Sequence, residues 1–103
     1  MYFVNITNIA EEDIASAIDY IANVLSAPMA ANNLLSEVEE KEKILEETPT
    51  IYPFVSDDYL ARKGIKFVKI KNYMMFYIID EEEKTVTIIR FLYGRRDWKN
   101  ILK

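Results

Sequence analysis

Residues 65–93 read Ile65-Lys66-Phe67-Val68-Lys69-Ile70-Lys71-Asn72-Tyr73-Met74-Met75-Phe76-Tyr77-Ile78-Ile79-Asp80-Glu81-Glu82-Glu83-Lys84-Thr85-Val86-Thr87-Ile88-Ile89-Arg90-Phe91-Leu92-Tyr93. Three runs in this stretch are rich in β-branched and aromatic residues: Ile65–Lys71, Tyr73–Ile79 and Thr85–Tyr93. Asn72 separates the first two tightly, and the charged Asp80–Lys84 segment makes a hairpin tip before the third. The middle run is apolar at both odd and even positions, as a central strand covered on both faces requires. Gly94 stops the last strand, and Arg95–Leu102 forms a tail or a short helical turn.

Upstream, Tyr2–Thr7 reads as one more strand. Thr7 or Asn8 then offers a cap for a helix, and Glu11, Glu12 and Asp13 suit its positive N-terminal end. Ile14, Ile18, Ile21 and Leu25 recur at helical spacing. The pattern breaks at Ser26-Ala27-Pro28, and a second helix starts at the proline with Ser26 or Ala27 as its cap. Its stripe is Ala31, Leu34/Leu35, Val38, Lys41 and Leu45, and Glu37–Lys41 and Glu39–Lys43 form i,i+4 pairs on its surface. Thr48–Pro53 cannot continue the helix, so a long connection runs to about Gly64. The order is β-α-α-β-β-β. It predicts an α+β fold in which a helical hairpin packs on one face of a mainly antiparallel four-stranded sheet. Ile14, Ile18, Ile21, Leu34, Val38 and Leu45 are expected to meet Phe76, Ile78 and Ile88. The other sheet face is expected to stay exposed.

Composition narrows the chemistry. The chain has 103 residues, half of them hydrophobic, and reads as a single domain over residues 1–103. It contains no Cys and no His. That removes disulfides, thiolate nucleophiles, imidazole bases and most zinc sites. No metal and no cofactor is expected. No apolar run approaches the length of a bilayer span, and the first residues lack the basic region of a signal peptide, so no membrane partner and a cytoplasmic location are expected. The net charge of -4 conceals a split. Residues 1–61 carry twelve acids against Lys41 and Lys43, whereas residues 62–103 carry eleven Lys/Arg against five acids. A basic half attracts a polyanion or an acidic protein segment.

Three segments carry a resemblance. Met1–Ile21 resembles the opening of RelE/ParE-superfamily toxins, with a strand followed by a helix that begins Glu-Glu-Asp-Ile and runs into Asp-Tyr-Ile. Asn72–Tyr77 is similar to that family's third-strand signature. Thr87–Trp98, with Leu92-Tyr93-Gly94-Arg95-Arg96-Asp97-Trp98, resembles its closing signature. The resemblance implies the toxin of a type II toxin–antitoxin module, neutralised by a cognate antitoxin that wraps around it. The superfamily holds two activities. RelE-like members cleave messenger RNA on the ribosome, and ParE-like members poison DNA gyrase without known nuclease activity. A non-toxic interaction module of the same fold is the third reading.

A RelE-like enzyme would cleave RNA by attack of a 2′-OH on its own phosphate, without a metal. It needs a base, an acid and charge on the phosphorane. The resemblance places Lys69, Lys71, Tyr93 and Arg95 in the catalytic set. Arg62, Lys66, Arg90 and Arg96 would hold the substrate phosphate. Strand alternation puts Lys69 and Lys71 on the same face, a pairing suited to a general base. Arg90, inside an apolar strand, also fits a buried ion pair with an acid. Arg95, Arg96, Trp98 and Lys99 are the expected antitoxin contacts. Met74 stands where RelE-like nucleases place an arginine, and Trp98 stands near their C-terminal Tyr. These departures suit a ParE-like member, while the paired lysines favour the nuclease, and the sequence reading leans to ribosome and mRNA as targets, with gyrase as the alternative.

Overall fold

The computed structural model describes residues 1–103. Strand β1 spans Phe3–Ile6 and helix α1 spans Asn8–Asp19. A π-helical turn at Tyr20–Val24 follows, then α2 over Pro28–Glu47 and a 3-10 turn at Pro49–Ile51. Helix α3 covers Asp58–Arg62, β2 Lys66–Ile70, β3 Tyr73–Asp80, β4 Thr85–Tyr93 and α4 Trp98–Leu102. The sheet order is β1-β4-β3-β2, with β1 parallel to β4 and the other pairings antiparallel. The expected α+β architecture is present, and its sheet is mixed. No helix is long and apolar enough to cross a membrane.

Thr7 sets the junction between β1 and α1. Its Oγ1 accepts from the Ala10 amide at 3.1 Å, capping the helix, and donates to the Ile89 carbonyl at 3.1 Å. At the far end α1 widens into the π turn, whose last bond runs from the Leu25 amide to the Tyr20 carbonyl at 3.0 Å. Ser26 then takes a left-handed φ of 51° and Pro28 opens α2. The widened turn carries Leu25 off the core stripe, leaving it 55% exposed.

The main core lies between α1, α2 and one sheet face. Ile14, Leu34, Val38 and Leu45 are buried there against Val68, Ile70, Met75, Tyr77, Val86, Ile88 and Phe91, with Ile18 and Ile21 partly buried at its edge. The expected partners Phe76 and Ile78 are not among them. Both have the opposite parity to Met75 and Tyr77, so they leave the sheet on its other side. Phe76 is buried there in a second cluster with Val55, Leu60, Ile65 and Leu92, and Ile78 is exposed. The second sheet face is therefore partly covered rather than bare. Its cover is α3, within the expected loop and capped by Asp57 accepting from the Leu60 amide at 3.1 Å, together with Trp98 and Ile101 of α4.

A β-bulge lies near the middle of the β3–β4 pair. Phe76 pairs with Arg90 while Tyr77 pairs with Ile88, so β4 carries one extra residue, Ile89. Its effect is a change of parity along β4. Val86 and Ile88 face the helices before the bulge, and Phe91 faces them after it. The i,i+4 pairs expected on α2 do not form. Glu37 instead reaches Lys71 at 3.5 Å.

Candidate functional site

The bulge and the π turn shape a cavity of about 880 Å³ between the end of α1 and the end of the sheet. Asp13, Tyr20, Leu25, Tyr73, Tyr93 and Arg96 are among the residues that line it. Tyr73 and Tyr93 face each other across the β3–β4 pair. Their rings meet edge to face with centroids 5.6 Å apart, and Tyr73 stacks on Phe91 at 5.0 Å. Burial, followed by the nearness of Tyr93 and Tyr20, holds the Tyr73 phenol above its ordinary pKa. Tyr73 therefore stays a neutral hydroxyl that can donate or accept a hydrogen bond.

Asp13 sits at the inner wall and closes the bulge. Its carboxylate accepts from Arg90 Nε at 2.7 Å, from Arg90 Nη2 at 3.1 Å and from the Phe91 amide at 3.0 Å. β1 stops pairing at Ile6–Ile88, so that amide has no strand neighbour and the carboxylate takes its place. The hydrogen bonds to Asp13 raise the Arg90 pKa further, so the guanidinium remains charged and held in place. Arg90 is thus engaged in the ion pair that its apolar strand setting suggested.

The turn after β4 places Arg96. The Gly94 amide donates to the Asn72 carbonyl at 2.8 Å, and a Cβ at Gly94 would lie 3.2 Å from that oxygen. Glycine allows this close approach. The Arg96 amide then donates to the Tyr93 carbonyl at 3.0 Å, setting the Arg96 side chain at the cavity wall without an ion pair to any carboxylate. The result is an aromatic recess with hydroxyl groups and one free guanidinium, able to hold an apolar group beside an acidic one.

The other expected site residues do not gather here. Lys69 pairs with Met74 across the strands, on the same row as Leu92, and so lies on the face covered by α3 and α4. Lys71 is beyond the end of β2, at a left-handed φ of 56°, and its amine turns to Glu37 of α2. The expected shared face is therefore lost, because strand alternation ends at Ile70 and the turn rotates the next side chain to the helix side. Lys66 is buried. Its Nζ donates to the Tyr52 carbonyl at 2.8 Å and lies 3.9 Å from the Phe54 ring centroid. Arg62 is exposed in the last turn of α3, and Arg95 is exposed in the turn after Gly94.

Trp98 packs on Phe76 at 5.4 Å, and Lys99 lies 5.7 Å from the Trp98 ring. Lys103 reaches Asp57 at 3.8 Å and tethers the tail. Sequence reasoning did not mark Asp13, Tyr20 or Tyr73 as lining a site. Asp13 carried the signal of an ordinary acid near a helix N-terminus, and only its partner across 77 residues gives it another role.

The chain matches the family described as ParE toxin of type II toxin-antitoxin system, parDE, over residues 4–98, and it belongs to that family. Among solved structures it is similar to the chromosomal ParDE toxin–antitoxin system of P. aeruginosa, with a TM-score of 0.71 and 17% identity over 90% of this chain and 96% of that one. It is also similar to the RelBE2 complex of Mycobacterium tuberculosis, with a TM-score of 0.63 and 22% identity over 89% of this chain and 96% of that one. For the intact E. coli RelBE complex the TM-score is 0.61 and the identity 14%, over 93% of this chain and 100% of that one. At these identities the likeness carries the fold. No match is found among curated protein sequences.

Proposed function

We propose that this toxin arrests growth by binding its target, DNA gyrase, rather than by cutting RNA, and that a cognate antitoxin neutralises it. Gyrase as the target comes from the resemblance to ParE-like toxins, and the family match supports that branch. The observation that carries the reading is the dispersal of the cationic groups a metal-free nuclease would need. Lys69 and Lys71 leave the sheet in different directions, while Lys66 and Arg90 are held by Tyr52 and Asp13. A phosphorane needs several donors within hydrogen-bond reach of one point. The antitoxin reading is supported by the solved relatives, several of which are described as toxin–antitoxin complexes.

Ribosome-dependent mRNA cleavage is the second reading, favoured by Tyr93 and Arg96 sharing one cavity wall with Arg95 beside them. Purified chain added to DNA gyrase should inhibit supercoiling, and leave ribosome-bound mRNA intact. Cleaved mRNA with unaffected gyrase overturns the proposal.

A further inference from the structure

The cavity at the end of α1 is bordered by more polar groups than the fold uses. Asp13 is engaged, because Arg90 and the Phe91 amide take its oxygens. The hydroxyls of Tyr20, Tyr73 and Tyr93, the Asn72 side-chain amide and the Arg96 guanidinium border the same space. None of them makes a side-chain hydrogen bond or an ion pair within the chain. Unpartnered polar side chains that converge on an apolar recess mark a ligand site. At about 880 Å³ the recess also falls within the size of small-molecule pockets, roughly 300–1,000 Å³.

The walls decide what fits. The Tyr73 ring is fixed before any guest arrives, stacked on Phe91 with 8° between the planes and met edge-on by Tyr93 at 75°. Leu25 adds aliphatic surface, and Tyr20 stands at the lip, 49% exposed. A flat apolar ring suits such a wall, and a preset wall costs little ordering on binding. The charge is equally definite. Arg96 is the only lysine or arginine in the lining, and the single acid there, Asp13, is already neutralised by Arg90. An anion thus meets one guanidinium and no free carboxylate. The planar fork of arginine matches a carboxylate with two parallel hydrogen bonds. A phosphate dianion would lack a second cation.

We propose that this recess binds a small aromatic carboxylate, with its carboxylate on Arg96 and its ring against Tyr73 and Tyr93. The tyrosine hydroxyls and Asn72 are then placed to meet any further polar atom of the ring. The assignment stands apart from the gyrase and antitoxin readings, because it needs neither partner.

The probe is indole-3-acetate, titrated into the isotope-labelled full chain and followed by amide NMR. Saturable shifts should gather at Asn72, Tyr73, Tyr93 and Arg96, with a Kd of about 1 mM or below, the range for a ligand of this size. Indole-3-acetamide, which has the same shape without the charge, should bind about tenfold more weakly or worse. Arg96→Gln should weaken indole-3-acetate by a similar factor, and Tyr20→Ala by roughly threefold or more. Lys43→Gln, which removes an exposed cation of α2 away from the cavity, should leave the Kd unchanged. The spectrum of each variant without ligand confirms its fold. No saturable shift up to about 10 mM overturns the proposal. So do shifts that gather outside the cavity, equal affinity for the acetamide, and an unchanged Kd in Arg96→Gln. Tighter binding of adenosine monophosphate than of indole-3-acetate overturns it as well, and makes the recess a phosphate site.

Discussion

Asp13 of α1 and Arg90 of β4 are joined by two hydrogen bonds, 2.7 Å from Nε and 3.1 Å from Nη2, across 77 residues of sequence. The same carboxylate accepts the Phe91 amide at 3.0 Å. One side chain thus fastens the first helix to the strand bulge and forms a wall of the cavity. Asp13→Ala would leave a largely buried guanidinium and a backbone amide without partners. We expect a loss of about 2–4 kcal/mol, read as a drop in melting temperature of roughly 10–20 °C. Asp13→Ala melting within a degree or two of the wild type would show that the pair does not hold the helix to the sheet.

Tyr77 makes a comparable tie on the other side of the core. Its hydroxyl is buried and donates to the Pro49 carbonyl at 2.6 Å, fixing the turn after α2. Burial also raises its pKa. Tyr77→Phe should cost about 1–3 kcal/mol in urea unfolding, because the carbonyl is left unpaired. A midpoint unchanged from the wild type would mean that the bond adds nothing.

Lys66 separates a structural role from a substrate role. Its amine is held between the Tyr52 carbonyl and the Phe54 ring. Lys66→Met should lower stability by about 1–2 kcal/mol, while growth arrest persists at a temperature where the variant is folded. Loss of toxicity in a stably folded variant would return Lys66 to the functional set.

Much of this architecture was legible from residue pattern. The β-rich runs of residues 65–93 appear within one residue of where the sequence placed them, and the second helix starts at Pro28 as expected. The both-faces burial of β3 is visible as Met75 and Tyr77 on one side and Phe76 on the other. What escaped was set by single extra residues and distant partners. Nothing local announces the bulge at Ile89, yet it reverses the parity of β4 and brings Phe91 onto the helix side. The end of β2 at Ile70 rather than Lys71 removed the shared face of the two lysines. Helix α3 is five residues long, too short for a periodic signal, and its cap Asp57 reads equally well as a loop residue. The cavity combines Tyr20 from the π turn with Tyr73 and Tyr93, a convergence no sequence spacing encodes.

Glu42 gives the pH dependence. Its folded-state pKa is raised, by burial first and by Glu39 and Glu46 next. The native state therefore binds the Glu42 proton more tightly than the unfolded chain, and this group's contribution to stability falls as pH rises through the folded pKa. Glu42→Gln should raise the melting temperature at pH 7. The gain should shrink as pH drops and vanish below the unfolded value of about 4.3. A gain that is the same at pH 3.5 and pH 7 would assign it to something other than charge.

The most direct test is induced expression of the chain, as wild type and as a Lys69→Ala/Lys71→Ala double variant, without its antitoxin, with DNA breaks and mRNA integrity read in the same cells. A toxin that acts by binding gyrase predicts growth arrest, DNA breaks and intact mRNA in both. Cleaved mRNA with undamaged DNA in the wild type, and loss of both cleavage and arrest in the double variant, would contradict it.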